Sequence, residues 1–109
     1  MNDDYKIRYS SQALEDLKDI FSYIAYELSE PATAQNLINK IRSEVKSLGF
    51  MPMRNKSVDW EPWKSMGMHE TSVHNFIIFY TVDSAQLTVR IIRVVYGGRD
   101  MEAALKGRA

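Results

Sequence analysis

The sequence predicts an α+β fold: a helical hairpin packed on a small antiparallel sheet of three to four strands, in the order β-α-α-β-β-β, with a short C-terminal helix. Three observations predict it. Two apolar stripes at helical spacing lie on either side of Ser29-Glu30-Pro31. Two long β-branched and aromatic runs, within residues 76–96, flank a tight polar turn. The segment Tyr5-Lys6-Ile7-Arg8-Tyr9 alternates apolar and charged side chains. These are the signatures of amphipathic helices, packed strands and a half-buried strand respectively.

Taken in order, Tyr5–Tyr9 reads as a short first strand, and Ser10 or Ser11 offers an N-cap hydroxyl for the first helix. Leu14, Leu17, Phe21, Ile24 and Leu28 recur at spacings of three and four, which predicts a helix to about Leu28. Pro31 ends one helix and starts the next, since proline fits a first turn but not a helix interior. Ala34, Leu37, Ile38, Ile41, Val45 and Leu48 form the second stripe, and Gly49 is placed to end it. The short link makes the two helices antiparallel neighbours. Each still needs apolar cover beyond its partner, which the sheet supplies.

Residues 50–65, FMPMRNKSVDWEPWKS, show neither period and read as a long loop carrying Trp60 and Trp63. Met66–Val73 reads as the second strand, followed by a two-residue turn at His74-Asn75 and a third strand from Phe76. The turn Asp83-Ser84-Ala85-Gln86 provides its own side-chain hydrogen bonding. The last strand ends in the corner Gly97-Gly98-Arg99-Asp100, after which Met101–Lys106 reads as a short helix capped by Asp100.

Composition narrows the function classes. A chain of 109 residues, 45% hydrophobic and 26% charged, makes one domain, 1–109, and is neither disordered nor large enough for two cores. It has no cysteine, which excludes disulfides and thiol chemistry. The polar start MNDDYKIRYS has no apolar stretch of a secretory signal, and no run is long enough to cross a bilayer, so a cytoplasmic location with no membrane contact is expected. Formal net charge is zero, yet residues 1–30 carry three basic against seven acidic side chains and residues 71–109 five against three. A dedicated nucleic-acid binder shows a stronger basic excess.

No phosphate-binding glycine loop, HExxH pair or Ser-His-Asp context is present, so no cofactor is expected. The only histidines, His69 and His74, stand five apart across a predicted turn, which is poor spacing for a metal pair, and no metal is expected. Either has the pKa range of a general base. Arg90 and Arg93 have opposite parity on the last strand and are expected on opposite faces of the sheet. Arg99 follows two glycines, which allow a sharp turn and close approach of a ligand or chain. Trp60, Trp63 and Arg90 are candidate partner-binding residues; the alternative for both tryptophans is to fold back over a core edge.

The order strand, two helices, loop and meander, together with the segments NFIIFYTVD and IIRVVYGGRD, resembles the RelE/ParE superfamily of bacterial type II toxins. The resemblance spans about Tyr5 to Leu105. It implies a toxin that a cognate antitoxin neutralises, as a hetero-oligomer, by wrapping an extended segment and a helix around it. It also implies one of two targets. RelE-like members enter the ribosome and cleave mRNA with basic residues on the sheet and at its end; ParE-like members act on DNA gyrase. Carried over residue by residue, the RelE pattern is thin. Its strand lysines meet Met68 and Glu70, and the arginine after the aromatic is Ile77. The corner arginine is present as Arg99, and no late tyrosine or histidine occurs in residues 101–109. Candidate catalytic residues are therefore Arg99 and Arg93, with His69 as a base beside the usual lysine positions. The neutral charge and the incomplete set favour the gyrase-directed reading. A non-toxic relative that only binds an antitoxin is the alternative from another class.

Overall fold

The computed structural model describes residues 4–97. The Gly98-Arg99-Asp100 part of the corner and the expected C-terminal helix lie outside the described residues.

Eight elements follow in the anticipated order. Strand β1 (Lys6–Tyr9) leads into helix α1 (Ser11–Ser22), a π-helical turn (Tyr23–Glu27) and helix α2 (Pro31–Ser47). A single 3-10 turn (Pro52–Arg54) precedes strands β2 (Met68–Val73), β3 (Phe76–Asp83) and β4 (Thr88–Tyr96). The expected meander β2-β3-β4 is antiparallel, and β1 joins it as a fourth strand to give the order β1-β4-β3-β2. The sheet is mixed, however, because β1 lies parallel to β4. The competing edge is already occupied: Val58 N–H donates to Met68 O and Glu70 N–H to Lys56 O, so residues 56–58 line the outside of β2.

The first helix starts as read. Ser10 is extended, and its hydroxyl accepts the Ala13 N–H. Its inward face differs from the leucine stripe. Ala13, Asp16 and Leu17 are buried, whereas Leu14 is 48% exposed. The α-helix also stops at Ser22, where the wider π turn takes over and Leu28 N–H bonds to Tyr23 O, five residues back. That turn shifts the phase of the stripe and leaves Leu28 half exposed. The second helix follows its prediction closely, with Pro31 in the first turn and Ala34, Ile38, Ile41 and Val45 buried. Thr71 on β2 donates its hydroxyl to the Glu44 carboxylate at 2.8 Å and ties this helix to the sheet.

Two separate cores result. The larger lies between the helices and one sheet face, built from Ala13, Leu17, Ile38, Ile41, Val45, Leu48, Ile78, Tyr80, Val89, Ile91 and Val94. At about 1.5–3 kcal/mol for each fully buried aliphatic side chain, this layer supplies the main driving force for folding. The smaller lies on the opposite face, where Val58, Met68, Phe79 and Val95 pack with Trp60, Trp63, Ile77 and Ile92. The segment expected to be a featureless loop thus folds back as a lobe onto the sheet's second face.

A bulge rearranges β4. Phe79 pairs with Arg93 but Tyr80 pairs with Ile91, so Ile92 is the extra residue. Beyond it the side-chain alternation is displaced by one. Val89, Ile91 and Val94 face the helices, while Ile92 and Val95 face the lobe. Arg93, opposite Phe79, therefore shares the lobe-side face with Arg90, which corrects the expectation that the two arginines point to opposite faces. The β3–β4 turn behaves as read: the Asp83 carboxylate accepts Gln86 N–H at 3.0 Å.

Candidate functional site

The residues singled out by sequence do not converge on one point. His69 sits on β2, at the far end of the sheet order from β1, and stacks on Tyr80 of the helix-side core with ring centroids 5.5 Å apart. Its Nδ1 lies 3.0 Å from Asn55 O. The Tyr80 hydroxyl donates to Pro52 O at 2.6 Å and accepts from Asn55 Nδ2 at 3.1 Å. These contacts tie the 3-10 turn to the sheet and hold the half-buried His69 ring against Tyr80. Burial raises the Tyr80 phenol above its ordinary value, outweighing the Asn55 hydrogen bond that lowers it. Tyr9 is raised too, again by burial, partly offset by Arg42, whose guanidinium lies over the ring.

The sign of the consequence is fixed. A phenol whose folded pKa exceeds its unfolded one keeps its full contribution below about pH 10 and loses it as pH rises beyond that. Tyr80→Phe is expected to cost about 1–2 kcal/mol at neutral pH through two lost hydrogen bonds. The variant should also show a shallower fall of the urea midpoint above about pH 10. An unchanged alkaline slope would remove Tyr80 from this account, while Tyr9 keeps the slope from vanishing.

Arg93 is 7% exposed. It donates Nε–H to Asp16 Oδ2 at 2.8 Å and Nη2–H to Oδ1 at 3.0 Å, a fork-on-fork pair. Asp16 Oδ2 also accepts Val94 N–H at 2.9 Å. The pairing explains where α1 lies. β1 ends opposite Ile91, and beyond that point Asp16 takes over an outward backbone group of β4 that no strand reaches. Asp16 had no distinguishing mark as a site residue in the sequence. The available signal was its position between Ala13, Leu17 and Ile20, on the buried side of the helix.

Trp60 and Trp63 pack into the lobe-side core. Arg90 remains exposed on the same face, directly opposite Arg8 of β1, and the two flank a cleft of about 320 Å³ that Tyr9, Ser10 and Ile92 complete. The second cleft of interest lies at the base of the glycine corner. Ser72, His74, Asn75, Ile77, Tyr96 and Gly97 enclose about 400 Å³ there. Gly97 N–H donates to Asn75 O at 2.6 Å, and a Cβ on Gly97 would stand 3.1 Å from that oxygen, a tight contact where the chain closes against the β2–β3 turn. Tyr96 meets Phe76 edge to face at 5.7 Å. Arg99 itself lies outside the described residues.

Among the described residues no three His, Asp or Glu side chains are grouped to hold a metal ion, and no helix is long and apolar enough to cross a membrane.

Comparison with known proteins places this architecture. No curated protein matches the sequence. Among solved structures, a chromosomal ParDE toxin–antitoxin system from P. aeruginosa superposes with a TM-score of 0.71 at 16% identity, covering 86% of this chain and 97% of that one. The RelBE2 toxin–antitoxin complex from Mycobacterium tuberculosis gives 0.63 at 20% identity, with 85% and 98% covered. A mutant of the E. coli toxin RelE in its free state gives 0.61 at 10% identity, with 93% and 92% covered. At these identities the likeness establishes the fold. The family follows from a sequence match: residues 7–101 match the ParE toxin of the type II toxin–antitoxin system parDE. The chain therefore belongs to the ParE toxin family, within the RelE/ParE superfamily of type II toxins.

Proposed function

We propose that this toxin inhibits growth by the ParE route, acting on DNA gyrase in the cytoplasm, and that a cognate antitoxin neutralises it. The carrying observation is the match to the ParE family over residues 7–101. Side-chain placement supports the same reading. Cleavage of RNA by its 2′-hydroxyl needs a base, an acid and cations around the phosphorane. Where RelE-type toxins set those groups, Met68 is fully buried, Ile77 packs beside it, and Glu70 faces Lys56 across 3.9 Å. His69 is engaged with Asn55 O and Tyr80. A gyrase inhibitor needs a shaped surface rather than a reacting constellation, and the cleft at Gly97, lined by Ser72, His74, Asn75, Ile77 and Tyr96, offers one. The solved ParDE and RelBE2 relatives, both toxin–antitoxin systems, support the antitoxin partner.

The test is direct. Expression from a tight promoter is expected to arrest growth, and co-expression of the neighbouring reading frame to restore it. Purified toxin is expected to inhibit gyrase supercoiling, while primer extension on translated mRNA shows no new 3′ ends. Arg99→Ala is expected to raise the half-inhibitory concentration roughly tenfold or more, as truncation of an arginine hot spot does. Cleaved mRNA with unimpaired supercoiling would move the protein to the RelE mechanism. Normal growth throughout would leave only an antitoxin-binding module.

A further inference from the structure

We infer that the cleft flanked by Arg8 and Arg90 is a phosphate-binding site, open to the phosphate of a free nucleotide or of a nucleic-acid backbone. The inference does not depend on which target the toxin has.

The pair is built into the fold. β1 and β4 run parallel, with Arg8 as the Cα partner of Arg90. Ile7, Tyr9, Val89 and Ile91 turn toward the helix-side core. By strand alternation the two arginines stand side by side on the opposite face, and both are exposed. Neighbouring strands lie about 4.8 Å apart, so both guanidiniums serve one space. That space is the cleft of about 320 Å³ that the two residues flank. Its walls are fixed. The Ser10 hydroxyl donates to Ile92 O and accepts Ala13 N–H, each at 2.9 Å, and the Ile92 side chain packs with the lobe-side core.

Charge and shape select the ligand. Like charges opposite one another on neighbouring strands are unfavourable, and no neighbour offsets this pair. The flanking positions on the same face are Lys6, Ser10, Thr88 and Ile92, and Thr81 of β3 pairs with Arg90 from the other side. None of these is a carboxylate, and the first turn of α1, beside the cleft, carries none either. The ion pairs seen among the described residues, Lys56–Glu70 and Arg93–Asp16, involve neither arginine. A bound oxyanion removes the repulsion. Each guanidinium is a planar fork that grips two oxygens of one anion. A carboxylate has a single pair of oxygens and satisfies one fork. A tetrahedral phosphate offers a separate edge to each fork, so it answers both arginines at once. The rest of the cleft, along Ile92, leaves room for the group that carries the phosphate. A single phosphate contact also suits a chain of zero net charge, which lacks the basic excess for tracking a polyanion.

The experiment follows the arginine Nε–H resonances of the isotope-labelled, full-length toxin by NMR. Inorganic phosphate, deoxyadenosine monophosphate, a short DNA duplex and acetate are titrated in separately at one ionic strength. Phosphate is expected to shift the Arg8 and Arg90 resonances together and to saturate at millimolar concentration, while acetate leaves them in place. Arg8→Gln and Arg90→Gln are each expected to weaken phosphate binding roughly tenfold, through loss of one charged fork. Lys6→Gln removes an exposed cation beside the cleft and is expected to weaken it by no more than about twofold. Both arginine variants are expected to keep the parent's urea midpoint in phosphate-free buffer, because neither side chain has an ionic partner to lose. Tighter binding of the nucleotide than of the duplex would sustain the site and identify a free ligand. The reverse order, with the same loss in the arginine variants, would sustain it and identify a nucleic-acid backbone. Equal shifts with acetate, an equal loss in Lys6→Gln, a lowered midpoint in either arginine variant, or no shift at tens of millimolar phosphate would each overturn the proposal.

Discussion

Asp16→Ala is expected to lower the free energy of unfolding by about 3–5 kcal/mol, the usual cost of breaking a buried ion pair from one side. For a domain whose whole stability is about 5–15 kcal/mol, that is a large share. The cost is high because the carboxylate serves three donors at once: two from Arg93 and the Val94 N–H. Both ionic partners are almost fully buried, at 6% and 7% exposure, so the guanidinium left behind would lose a neutralising charge it cannot replace with water. The backbone amide of Val94 would be orphaned too, at the point where β4 runs past the end of β1. Urea unfolding measures the loss directly. An apolar double replacement, Asp16→Leu with Arg93→Met, is expected to recover much of it, because it removes both charges together. A loss below about 1 kcal/mol for Asp16→Ala would show that the pair is solvated in practice.

This pair also marks the boundary between what the sequence reveals and what it conceals. The strands of the meander were legible because β-branched and aromatic runs with a two-residue turn at His74-Asn75 and an Asp-led turn at Asp83 allow few alternatives. The second helix was legible because its stripe and its proline agree. The bulge at Ile92 was not. It has no glycine or proline to announce it, and it lies where β3 and β4 border two different cores. Without it Arg93 would face the helices; with it, the side chain lies on the lobe side and reaches Asp16 at the edge. The leucine stripe of the first helix misled for a related reason. Side-chain hydrophobicity favoured Leu14, but the inward position goes to small Ala13 and to Asp16, whose burial is stabilised by a partner 77 residues away. Local periodicity carries no record of so distant a contact. The candidate site divides in the same way. The turn at Gly97 followed from residue type, whereas the Arg8–Arg90 juxtaposition required the parallel β1–β4 pairing.

The lobe formed by residues 57–67 was the least legible segment, and Phe79→Ala is the substitution that tests its attachment. Phe79 is 1% exposed and packs with Val58, Met68 and Val95 beneath Trp60 and Trp63. Truncating a buried phenylalanine costs about 3–5 kcal/mol, and here the cavity opens directly under the lobe. The two tryptophans are the only ones in the chain, so their emission reports on this core alone. Phe79→Ala is expected to red-shift that emission in the native state, before any unfolding. Ile41→Ala provides the contrast. Ile41 is fully buried in the helix-side core, where truncation costs about 2–5 kcal/mol, yet it is not part of the lobe-side cluster. It is expected to lower the urea midpoint with native emission unchanged. If the two variants shifted emission equally, the cores would be coupled, and the lobe would be an extension of the main core rather than a separate cover on the second face. If neither shifted it, the tryptophans would be held by contacts other than Phe79, and the lobe would be free to stay in place while the sheet beneath it is altered.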